Sequence, residues 1–138
     1  HIGLGRVVHP VQGQASAGAT ERNPAYRALV EAMVTDPTLS HVYFDISWDE
    51  VAKYAVSSPE TIANTAAMLN TYPERFLFGT DNVAPADQAA QLRVYDMWDP
   101  IWKKLTPEAS HKVRLGNYER LFDAARARVR AWEAANVK

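Results

Sequence analysis

The chain has 138 residues, 47% of them apolar and 22% charged, and a net charge of −1. That length suits one domain with a real core rather than two, and the composition excludes a disordered chain. The near-neutral charge excludes a broad field for nucleic acid or an acidic membrane, and the absence of cysteine excludes disulfides, thiolate zinc sites and cysteine nucleophiles.

The opening His1-Ile2-Gly3-Leu4-Gly5-Arg6 reads as the tail of a strand. Val11–Thr20 follows as a loop of small residues without periodicity. Asn23-Pro24 predicts a helix start, with Tyr26, Leu29, Val30 and Met33 on one apolar stripe and Asp36-Pro37 as the stop. His41–Ser47 is the best strand candidate, apolar at nearly consecutive positions, as in a strand covered on both faces. Trp48–Val56 predicts a short helix, and Ser58-Pro59-Glu60 opens another that Tyr72-Pro73 ends.

Arg75–Gly79 reads as a second buried strand running into the polar turn Gly79-Thr80-Asp81-Asn82. Residues 87–105 form a helical stretch split at Asp99-Pro100. Thr106-Pro107-Glu108 opens a short helix ended by Gly116. Asn117 caps the last helix, with Leu121, Phe122, Ala125, Val129 and Trp132 inward and Arg126, Arg128 and Arg130 in solvent. Strands alternating with helices predict parallel βα units in a single α/β domain over residues 1–138. Two strands and a stub leave open apolar edges, so further strands are expected from a missing N-terminal segment or a second chain. Self-association into a homo-oligomer is the third option. No stretch is long and apolar enough to span a bilayer. No address signal is visible, so a cytoplasmic location is favoured over export.

Asp81 is delivered by the end of a buried strand, where βα architectures gather active-site groups. A carboxylate there can bind a divalent metal and take a proton from the metal's water. On its own, an aspartate after a strand serves more often as a turn or cap. His1 can act as acid or base near neutral pH. Asp45 either points into a barrel interior or orders a loop, and Trp48 either walls a pocket or joins the core. His9, His41 and His111 lack metal-ligand spacing.

Four segments together resemble the amidohydrolase-related family of metal-dependent hydrolases and decarboxylases: His1-x-Gly3-x-Gly5, Val42–Ser47, Pro73–Asp81 and Gly116-Asn117-x-x-Arg120-Leu121-Phe122. The resemblance implies the C-terminal portion of a (β/α)8 TIM barrel, strands six to eight with the following helices. It also implies hydrolysis of an amide, ester or lactone by a metal-activated water. Asp81 would be a metal ligand and catalytic residue, and His1 the catalytic histidine. The metal would be divalent, zinc first, with its other ligands outside this chain, so that the 138 residues alone would be inactive. Arg6, Trp48 and Asn82 are the candidates for holding a small-molecule substrate. Decarboxylation on the same scaffold and a non-catalytic assembly module are the alternatives.

Overall fold

The computed structural model describes residues 6–9, 19–22 and 26–137, with side chains from Arg27 onward. Strands β1 (Arg6–His9) and β2 (Ala19–Arg22) pair antiparallel, Arg6 opposite Arg22 and His9 opposite Ala19. The pattern of residues predicts only a strand tail and a loop here, with His9 in the loop. The proposed helix start at Asn23-Pro24 lies outside the described residues.

Helix α1 (Tyr26–Thr35) buries Val30 and Val34, one turn apart, while Leu29 and Met33 of the expected stripe face outward. Asp36 ends this stretch as predicted. Its carboxylate accepts the Thr38 N–H at 2.8 Å and the Thr38 hydroxyl at 2.7 Å, starting a 3-10 turn over Pro37–Leu39. Strand β3 (Phe44–Asp45), helix α2 (Asp49–Ala55), helix α3 (Pro59–Thr71) and strand β4 (Phe76–Leu77) form one parallel β-α-α-β unit, Phe44 opposite Phe76. Ser58 caps α3 through a reciprocal box with Thr61, which satisfies amides at the helix start.

Helices α4 (Gln88–Met97) and α5 (Asp99–Trp102) are divided at Asp99-Pro100, as the fixed ring of proline requires. Helix α6 (Pro107–His111) runs through wide π-type turns at Lys112–Gly116 and Glu119–Asp123 into α7 (Ala124–Asn136). Gly116 does not end a helix and Asn117 does not cap one. Asn117 is buried, and its amide donates to the Pro73 and Phe76 carbonyls at 2.7 and 2.8 Å. Its own N–H bonds back five residues to Lys112, and the Val113 carbonyl accepts the Phe78 N–H at 3.1 Å. The outer edge of β4 is thus met by a helix.

The barrel expectation is overturned. Among the described residues the sheets have two strands each, one antiparallel and one parallel, and the molecule is dominated by helix. The apolar runs that read as interior strands are buried instead by the chain's own helices. Phe44, Ile46 and Phe76 join Leu69 of α3, Trp98, Ile101 of α5 and Val113 in one core. Burial on both faces looks the same in sequence whether strands or helices supply it.

Candidate active site

The parallel pair continues past its formal ends. Ile46 N–H donates to the Leu77 carbonyl at 2.9 Å, and Trp48 N–H to the Thr80 carbonyl at 3.2 Å. The two chains then part. Trp48 turns into α2 and residues 80–83 turn toward α4. Between them lies a cleft of about 750 Å3, walled by Trp48, Asp49, Thr80, Asp81, Asn82 and Val83, and from α4 by Ala90, Arg93, Val94, Asp96 and Met97. This is the size range of small-molecule sites.

The backbone is unusual at this place. Trp48 has φ 89°, Asp81 φ 47° and Ala84 φ 50°, the positive-φ residues other than glycine among those described. Each such conformation costs on the order of 1–3 kcal/mol, and they cluster where function needs them. Two line the cleft and the third lies beside Val83.

Side-chain bonds fix the 80–83 turn to α4. Gln91 Nε2 donates to Thr80 Oγ1 at 3.0 Å, and Asn82 Nδ2 donates to the Ala90 carbonyl at 3.1 Å. Asp87 caps α4 by accepting the Ala90 N–H at 2.7 Å. Asp45 Oδ1 accepts the Ser47 N–H at 2.7 Å, which orders the strand end rather than filling a barrel interior. Asp49 pairs with Lys53 at 3.0 Å. Arg93 forms no ion pair among the described residues, so it is the cleft's available cation.

Of the residues chosen from sequence, Trp48, Asp81 and Asn82 come together in this one cleft. Asn82 uses its amide to hold the turn, so its role there is positioning. His1 lies outside the described residues, as does the Arg6 side chain, although Arg6 itself begins β1. Arg93 and Asp96 were missed. Both sit on a helix read for its apolar stripe, and nothing in that spacing marks which polar side chain faces a cleft.

Among the described residues no group of three or more His, Asp or Glu could hold a metal ion. The cleft offers Asp81, Asp96 and a lysine-paired Asp49, which do not form such a set. The metal ligands that the resemblance implies besides Asp81 were expected outside this chain, so the cleft's carboxylates by themselves are not a complete metal site. No family model, curated protein or solved structure matches the chain. No helix among the described residues is long and apolar enough to cross a membrane.

Proposed function

We propose that the cleft is this chain's share of a hydrolase site for a small amide, ester or lactone, with Asp81 as its acid-base carboxylate. The reading is carried by the convergence of Trp48, Asp81 and Asn82, singled out from sequence, at one strained strand end. The four-segment resemblance to amidohydrolase-related enzymes points the same way.

Asp81 takes the proton of a water as its oxygen adds to the substrate carbonyl, and returns it to the leaving amine or alcohol as the C–N or C–O bond breaks. Arg93, unpaired by a carboxylate among the described residues, favours a substrate bearing a carboxylate. Trp48 supplies an apolar wall. His1 is the further acid-base group that the resemblance names.

The test is turnover of a panel of esters, lactones and amides, with and without a carboxylate, by the intact encoded protein. Asp81→Asn keeps the size and tolerates the left-handed backbone. It is expected to lower kcat/KM by about 100-fold or more. Unchanged turnover in that variant refutes the assignment. Arg93→Gln is expected to raise KM for the carboxylate-bearing members of the panel selectively.

A further inference from the structure

The α4 wall of the cleft has two parts. Ala90, Val94 and Met97 recur at spacings of four and three, are buried or half-buried, and make an apolar floor. Arg93 and Asp96, one turn apart, are exposed and form a rim beside it. Opposite charges at that spacing pair elsewhere in this molecule, Lys53 with Glu50 and Arg130 with Glu133. Arg93 and Asp96 do not, and neither side chain has another ion pair or hydrogen bond among the described residues. The rim thus presents a cation and an anion side by side, both open to a ligand.

The sign of the neighbours narrows that ligand. A simple carboxylate held by Arg93 would lie within a turn of the Asp96 carboxylate, which repels it. Asp49, another carboxylate of the wall, is answered by Lys53 at 3.0 Å. We infer that the cleft takes an α-amino acid head, its carboxylate on Arg93 and its ammonium on Asp96. The two charges of such a head leave one carbon, which suits partners whose Cβ atoms stand about 5–6 Å apart on one helix face. The rest of the ligand lies over the apolar floor toward Trp48 and Asp81. The scissile bond rests on the hydrolase reading of Asp81 and is an ester or amide in the amino acid's side chain. Water adds across that bond, leaving a side-chain carboxylic acid and releasing the alcohol or amine, with no other reactant.

Calorimetry on the intact encoded protein carrying Asp81→Asn reads binding apart from turnover. Three probes share one benzyl ester: the γ-benzyl ester of L-glutamate, monobenzyl glutarate without the amine, and benzyl 4-aminobutanoate without the carboxylate. The L-glutamate ester is expected to bind about tenfold tighter than either analogue, which each lack one ion pair. Asp96→Asn, added to the same protein, should weaken the L-glutamate ester about tenfold and tighten monobenzyl glutarate, because one loses a partner and the other a repulsion. A residue that only shaped the fold would move both in one direction. Three probes that bind alike, no binding up to about 10 mM, or an Asp96→Asn effect of one sign overturns the inference. The expected pattern, with the ester left uncleaved by the protein that keeps Asp81, sustains the amino acid site and sinks the hydrolase reading.

Discussion

Arg75 joins three segments that are distant in sequence, and its removal gives the most readable stability prediction. Its Nε donates to the Val42 carbonyl at 2.9 Å, Nη1 to Val34 at 2.6 Å and Nη2 to Leu39 at 2.8 Å. The guanidinium also lies 5.6 Å from the Phe44 ring centre. One side chain thus ties the end of α1 and the 3-10 turn to the approach of β3. Hydrogen bonds from a charged donor are worth about 1.5–3 kcal/mol each, and the ring contact adds about 0.5–1 kcal/mol. The three bonds are not additive, because water can reach carbonyls left at a partly exposed site. Arg75→Ala is therefore expected to cost about 3–4 kcal/mol, a large share of the 5–15 kcal/mol typical of a domain. Arg75→Lys keeps the charge but cannot reproduce the planar fork, and should cost about 2 kcal/mol. Urea unfolding followed by circular dichroism reads both. With a slope of about 1.5–2 kcal/mol/M, the alanine variant should shift the midpoint down by about 2 M. A loss under about 1 kcal/mol for Arg75→Ala, or a lysine variant equal to wild type, would refute the reasoning.

Asn117→Ala should cost about 2–4 kcal/mol in the same assay, because it leaves the Pro73 and Phe76 carbonyls without their buried donor. Ala84→Gly should stabilise by up to about 1 kcal/mol, since Ala84 holds φ 50° without the freedom of glycine; a clear loss would contradict the strain. The Lys112 ammonium beside Glu74 holds that carboxyl below its ordinary value. A lowered carboxyl stabilises the fold above its unfolded pKa and loses that contribution as pH falls through the folded value. Asp36, lowered by the Thr38 hydroxyl and N–H, acts in the same direction. Unfolding free energy should therefore decline as pH drops below about 4.5, the ordinary value for Glu74. Lys112→Met should flatten part of that decline, by well under 1 kcal/mol because Glu74 is half exposed.

The parts of the fold written in local chemistry were legible. Asp36-Pro37, Ser58-Pro59 and Asp99-Pro100 set helix boundaries that depend on a cap or a ring and on little else. What covers an apolar face is not local. Val42–Ile46 and Phe76–Phe78 read as strands flanked by further strands, where the chain supplies α3, α5 and the helix around Val113. The same blindness reversed the face of α7, whose stripe was visible in the spacing while its lack of cover was not. Neither Arg6–His9 nor Ala19–Arg22 alternates apolar with polar residues, so the β1–β2 pair had no periodicity to read. Three of the four resembling segments turned out to hold one another: Asn117 of the last binds the Pro73 and Phe76 carbonyls of the third, and Arg120 lies over the Tyr43 ring of the second. Much of their pattern is thus accounted for by packing. Of these segments Thr80 and Asp81 line the cleft, and the carboxylate among them is that of Asp81.

That residue decides the account. If Asp81 is kept at φ 47° for chemistry rather than for folding, Asp81→Gly should separate the two. Glycine relieves the left-handed backbone but adds freedom to the unfolded chain, so stability should stay within about 1 kcal/mol of wild type. Hydrolysis by the intact encoded protein, measured on the same preparation, should fall to background. Retained hydrolysis, or a folding loss of about 2 kcal/mol or more, would contradict the claim and return Asp81 to an ordinary turn.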